Sequence, residues 1–254
     1  MTLDDLIIET SMNEEFIRNS HTDFAQSRKL DFITSFNSIL SIEGNSLGHE
    51  ILELFEYNEF LLTTSAFVQA KDKILPSVFS HVFYEFTKPL KKTKKYRYYN
   101  LFAVDEFVLN LYRNPNETET FVSQSNNKGC NMMLLTVIYD LCNNFYTDTV
   151  TQPYNLNDER GALIELLPNV SAKSIIIIDR GYESYNIFAH LEENRLNYVV
   201  RVIDISSNGI LSALNISNEE FNKVFTVNVS NFQKKCYNLY QIINFLHLLL
   251  DLIF

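Results

Sequence analysis

Four consecutive isoleucines at 175–178, entered from Ser174 and left through Asp179, restrict the fold more than any other segment of the chain. A continuous apolar run without polar alternation reads as a strand buried on both faces. That is the situation of a strand in the middle of a sheet covered by helices. The flanks agree. Residues 159–167 read as a helix ended by Pro168-Asn169, residues 184–194 as a second helix, and residues 198–203 as another strand. Upstream, residues 98–105 read as a strand, residues 131–139 form a long apolar run, and residues 146–152 alternate. The order β-β-β-α-β-α-β predicts an α/β unit with a strand meander first and helical crossovers later.

The first 90 residues carry a different period. Phe32, Ile33, Phe36, Ile39 and Leu40 have helical spacing. Gly44-Asn45 breaks that helix, and Ser46 is placed to cap a second one through Tyr57. A third helix is expected over 64–75, and Pro76 fits the first turn of a fourth that carries Val78, Phe79, Val82, Phe83 and Phe86. Short helices joined by Gly-containing turns suit a DNA-binding helix-turn-helix, and they suit a plain helical bundle equally well. The expected division is therefore a helical region over 1–90 and an α/β domain over 91–254.

Net charge is −10, which argues against a protein that coats DNA non-specifically. The distribution is uneven: residues 1–87 carry −9, residues 88–97 carry +6, and residues 98–254 carry −7. The basic stretch holds Lys88, Lys91, Lys92, Lys94, Lys95 and Arg97 without an acid. It suits a local contact to phosphates, with Lys91, Lys92, Lys94, Lys95 and Arg97 as the DNA-binding candidates. A solvated linker is the alternative. The 3 cysteines follow no C-x-x-C spacing, and the acidic N-terminus lacks a basic-then-apolar signal pattern. A reduced cytoplasm is the expected location.

Two aspartates occupy matching places. Asp105 follows Leu101-Phe102-Ala103-Val104, and Asp179 follows the isoleucines. A carboxylate at the end of a buried strand is costly unless compensated, and a divalent cation shared by the two is one compensation. Ordinary strand-end aspartates are the other reading. Histidines are scattered with no H-E-x-x-H, and the 6 glycines form no phosphate-binding loop of G-x-G-x-x-G or G-x-x-x-x-G-K-[ST] type.

The segment Ile178-Asp179-Arg180-Gly181-Tyr182 resembles the second-aspartate motif of DDE transposases of the insertion-sequence-four class, and Phe102-Ala103-Val104-Asp105 resembles the first. Asn127-Lys128-Gly129, Tyr139-Asp140-Leu141, Gly161-Ala-Leu-Ile-Glu165 and the upstream run Thr63–Ala70 are also similar to the family, in the same order. The resemblance spans roughly residues 16–232. It implies a partial RNase H-like mixed sheet with flanking helices, preceded by the helical region. It further implies Asp105 and Asp179 as catalytic metal ligands for two Mg²⁺ (or Mn²⁺), which promote in-line phosphodiester cleavage and strand transfer during cut-and-paste DNA transposition. Arg180, beside the second aspartate, is implied as a phosphate contact. The partners implied are transposon terminal inverted repeats and target DNA, with a homodimer left open and no membrane.

The chain departs from that pattern in places. The family's third carboxylate stands in a Tyr-x-x-Arg-x-x-x-Glu helix. The nearest match, Tyr198-Val-Val-Arg201, leads to Ile205, and Glu219 and Glu220 lack the required Arg. A strand-rich insertion is expected to begin near 206, and from about 233 the sequence stops resembling the family. Residues 239–254 are strongly apolar but short for a membrane span. A frameshifted tail on a truncated copy, or a hydrophobic packing helix, are the two expectations for them. Glu106-Phe107-Val108 stands where the family commonly has Gly-Ser-Asp, and Cys130 and Leu134 replace residues that are often Tyr and His. The expectation is a transposase-class chain that is inactive by itself. A non-catalytic fragment that binds DNA ends or inhibits the intact enzyme is the alternative.

Overall fold

The computed structural model describes residues 2–25, 30–56, 62–92, 94–124 and 127–201, and the short segments 225–227 and 246–248. The chain divides into two compact units, Met1–Lys91 and Lys92–Phe254.

The first unit holds helices α1 (Leu3–Ser11), α2 (Phe32–Leu40), α3 (Leu47–Leu54), α4 (Thr64–Lys71) and α5 (Ser77–Thr87). Their starts are chemically marked. Thr2 and Asp5 form a reciprocal capping box on α1, Asp31 accepts from the Thr34 amide, and Thr63 accepts from the Ala66 amide. Ser46 stands at the cap of α3 but makes no capping bond. Glu50, inside the helix, instead holds the preceding turn, accepting from the Gly44 and Asn45 amides at 3.0 and 2.7 Å. Pro76 is the N-cap of α5 rather than part of its first turn. Leu6, Ile7, Phe16, Phe32, Phe36, Ile74, Val78 and Val82 form the core of this unit. The one isolated β-bridge among its described residues joins Ile17 to Ile74, so the unit is helical as its period predicts.

The second unit is built on a six-stranded mixed sheet, ordered β2-β3-β1-β5-β6 with β4 also on β3. The strands are β1 (Asn100–Leu111), β2 (Phe121–Gln124), β3 (Asn127–Asp140), β4 (Phe145–Pro153), β5 (Ser174–Ile178) and β6 (Asn197–Val200). β1, β3 and β4 form the expected antiparallel meander, while β5 and β6 add in parallel to β1. Crossover helices α6 (Glu159–Leu166) and α7 (Tyr185–Glu193) supply Leu163, Leu166, Ile187, Phe188 and Leu191 to a core with Phe102, Val104, Ile138, Ile176 and Ile178. This is an α/β fold, with the mixed sheet and flanking helices expected of an RNase H-like domain. A separate antiparallel pair joins β7 (Phe225–Val227) and β8 (Leu246–Leu248). Among the described residues no helix is long and apolar enough to cross a membrane.

Three details differ from the expectations. β1 runs on to Leu111, so Asp105 lies in mid-strand rather than at a strand end. β2 was not expected; it pairs with the start of β3, whose 14 residues outrun β4. The isoleucine strand is not equally buried on its two faces: Ser174, Ile176 and Ile178 are buried, whereas Ile175 and Ile177 are half-buried. The helices cover the first of these faces. The expected strand end at 203, most of the insertion from 206 and most of the tail from 233 lie outside the described residues.

Candidate functional site

The parallel register of β1 and β5 positions the two aspartates. Asn100 pairs with Ser174 and Ala103 with Ile177. Continued two places, the same register sets Asp105 level with Asp179. Residues alternate between faces, so Asp105 follows Leu101 and Ala103, and Asp179 follows Ile175 and Ile177, onto the face away from α6 and α7. Neighbouring strands are about 4.8 Å apart, within reach of one shared cation. β6 extends the row. Ile178 pairs with Val200, the Arg201 amide donates to the Ile178 carbonyl at 3.0 Å, and Arg201 Nη1 lies 3.7 Å from Asp179 Oδ1. The row Asp105, Asp179, Arg201 thus crosses three adjacent strands.

Both aspartates are exposed, which removes the burial cost invoked from sequence. An open pair of hard oxygen donors still fits a hydrated Mg²⁺, which commonly takes one or two carboxylates and fills the rest of its shell with water and phosphate oxygens. Among the described residues no group of three or more His, Cys, Asp or Glu is arranged to hold a metal. The Asp179–Arg201 pair is solvent-exposed on both sides and is worth little by itself.

Behind the row, on the helix face, lies a second acidic group that the sequence did not reveal. Glu106 points inward beside Thr136, its register partner, which donates to it at 3.4 Å. Burial, then the nearby Glu159 carboxylate, push the Glu106 carboxyl above its ordinary range; Asp105 adds to this and the Thr136 hydroxyl opposes it. Tyr182 is buried, with its hydroxyl facing the Glu159 carboxylate. Burial first, then the Glu159 and Glu106 charges, the hydrogen bond to Glu159 and the Asp105 charge, hold its phenol protonated far above the usual range.

Asp179 leads into a single 3-10 turn, Arg180–Tyr182, closed by the Tyr182 amide on the Asp179 carbonyl and the Glu183 amide on the Arg180 carbonyl, both at 3.1 Å. Gly181 does not have a positive φ. It sits close to another side chain instead: a Cβ there would stand 3.0 and 3.3 Å from the Glu159 carboxylate oxygens, which would have to give by a few tenths of an ångström. The start of α6 approaches this turn from the other side as well, through Arg160. Its Nε and Nη2 donate to the Gly181 carbonyl at 3.2 and 3.1 Å, and Nη2 also reaches the Glu183 carbonyl at 3.2 Å. Glu159-Arg160 reads in the sequence only as a helix start, so nothing short of the fold shows that it meets residues 181–183.

The basic candidates fall in a separate stretch of the chain, before the first strand. Lys91 and Lys92 end a 3-10 segment, Lys88–Lys92. Lys94, Lys95 and Arg97 are exposed just before β1. Asn143, in the turn between β3 and β4, fastens this stretch by accepting from the Lys94 amide at 3.0 Å and donating to its carbonyl at 3.2 Å. The chain reverses at Arg97 and Tyr98, which both have positive φ, and Tyr96 bridges back to Tyr99 before β1 begins. Arg180 directly follows Asp179 and is exposed.

A protein family described as Transposase DDE domain matches residues 97–242, more than half of the chain. A solved structure, described as the cryo-EM structure of a piggyBac transposase synaptic complex with hairpin DNA, is similar at 12% identity with a TM-score of 0.45. That similarity covers 89% of this chain and 53% of the other, so this chain spans about half the length of that one. No curated protein matches the chain.

Proposed function

The chain belongs to the transposase DDE domain family, and on that basis we propose that Asp105 and Asp179 are its metal-binding carboxylates, in a domain built for phosphodiester chemistry on DNA. The supporting observation is the β1–β5 register, which brings Asp105 level with Asp179 on the open face of the sheet. When bound, Mg²⁺ or Mn²⁺ supplies charge to activate the attacking oxygen and stabilise the leaving one.

The chain's own residues supply the rest. Asp105 and Asp179 offer hard oxygen donors without a desolvation cost. Arg201, one strand away, and Arg180, one residue on, are cations suited to a phosphate in the same row. Lys94, Lys95 and Arg97, exposed just before β1, are suited to further phosphates of the same DNA. Terminal-repeat and target DNA are the substrates this reading assigns, and cut-and-paste transposition is the process.

By itself this polypeptide binds rather than cuts. No residue of the sequence meets the third-carboxylate pattern, since Tyr198-Val-Val-Arg201 leads to Ile205. Two carboxylates leave a Mg²⁺ ion loosely oriented, and positioning is a large part of phosphoryl-transfer catalysis. The test is to incubate the purified chain with labelled duplex DNA carrying candidate terminal repeats and Mg²⁺ or Mn²⁺. Salt-sensitive DNA retention without strand scission is expected. Scission that disappears in Asp179→Ala would overturn the non-catalytic reading. Absence of any DNA binding would overturn the assignment of the basic residues.

A further inference from the structure

We propose that Arg160 is the positioning residue for Asp179, and that it acts by locking the 3-10 turn through which the chain leaves β5. The proposal rests on the reading of Asp179 as a metal ligand. Asp179 is held by pairing only on its N-terminal side, where β5 ends at Ile178. On its C-terminal side a single turn of three residues has two closing bonds, from the Tyr182 and Glu183 amides. Such a short turn has no further residues to satisfy its own late carbonyls. Arg160 supplies the missing donors, with two contacts to the Gly181 carbonyl and one to the Glu183 carbonyl. A planar guanidinium suits this task because its donors are fixed relative to one another, so gripping two carbonyls fixes their separation. Glu159, the preceding residue, occupies the space beside Gly181 where a side chain would otherwise stand. The Tyr182 ring, buried in the helix-face core, anchors the third side. The turn is therefore held from α6, a separate element that contacts neither aspartate in any hydrogen bond or ion pair described.

Supporting groups of this kind change metal affinity by about 10–100-fold when removed, because they fix the ligand's orientation without touching the ion. Two measurements on the full chain test the role. In Mn²⁺ titrations followed by electron paramagnetic resonance, Arg160→Ala is expected to weaken binding about tenfold, and Arg160→Lys to recover only part of it, since an ammonium cannot span both carbonyls. In metal-free hydrogen exchange, the Tyr182 and Glu183 amides are expected to exchange faster in Arg160→Ala, while amides of β1 and β3 keep their protection. Retained protection in those strands also shows that the variant folds. Unchanged Mn²⁺ affinity in Arg160→Ala, against wild-type binding that Asp179→Asn abolishes, would overturn the positioning role and leave the metal reading intact. Wild-type Mn²⁺ binding that is absent or indifferent to Asp179→Asn would overturn the metal reading and the positioning role with it. The exchange result would then still report whether Arg160 holds the turn.

Discussion

Tyr182→Phe should destabilise the protein. The Tyr182 side chain is 1% exposed and its hydroxyl faces the Glu159 carboxylate, to which it is a donor. The ring belongs to the core with Ile178, Ile187 and Phe188, so the substitution keeps the packing and removes only the donor. A hydrogen bond to a charged group is worth about 1.5–3 kcal/mol. Glu159 is half-buried, so water replaces part of that bond, and the expected loss is about 1 kcal/mol. For a protein of this size that corresponds to a fall of about 2–4 °C in Tm. The sequence has no Trp, so far-UV circular dichroism during urea or thermal unfolding is the natural probe. A second readout is alkaline titration of the phenols. Burial also raises Tyr198 and Tyr185, so the wild-type spectrum should contain several late-ionising phenols, and Tyr182→Phe should have one fewer that resists ionisation until the protein unfolds. Unchanged or increased stability would refute the reasoning, because it would show that the hydroxyl gives Glu159 no bond worth keeping.

Three further outcomes are expected. Gly129→Ala should destabilise the second unit by at least about 2 kcal/mol in urea unfolding: its φ is +70°, and a Cβ would stand 2.9 Å from the Val122 carbonyl oxygen and 2.5 Å from Phe121 Cζ. Glu106 holds its proton more tightly folded than unfolded, so its contribution favours folding below the ordinary value of 4.5 and is lost as pH rises through the raised one. Glu106→Gln should flatten that part of the stability–pH curve, and an unchanged slope would assign it to another group. Arg201→Ala should raise Mn²⁺ affinity by no more than about fivefold at low salt, because an exposed pair is worth about 0–1 kcal/mol, and the gain should vanish at high salt.

The sequence carried the sheet because its signals are local. Four β-branched isoleucines favour a strand, and Pro168-Asn169 stops α6 close to where the pattern says. The pairing of Asp105 with Asp179 was legible only as a symmetry of motif, and their common row and face follow from register. Where sequence reasoning went astray, tertiary context decided. The buried-carboxylate argument failed because alternation in β1 and β5 sends both aspartates to the open face. The approach of Glu159 to Gly181, from 22 residues upstream, has no counterpart in the local sequence. Ser46 has the right chemistry for a cap but makes no capping bond, and Glu50 ties the helix to the Gly44 and Asn45 amides before it. The Arg160 clamp had no signal at all, since its acceptors are backbone carbonyls, and any residue has one.

The central claim is that Asp105 and Asp179 act as one cation site. A double-mutant cycle on Mn²⁺ affinity tests it most directly, using Asp105→Asn, Asp179→Asn and the double variant, each near-isosteric and exposed. Groups that share one ion are strongly non-additive. Each single variant should therefore lose nearly as much affinity as the double. Losses that add independently, or an affinity that neither substitution changes, would contradict the account.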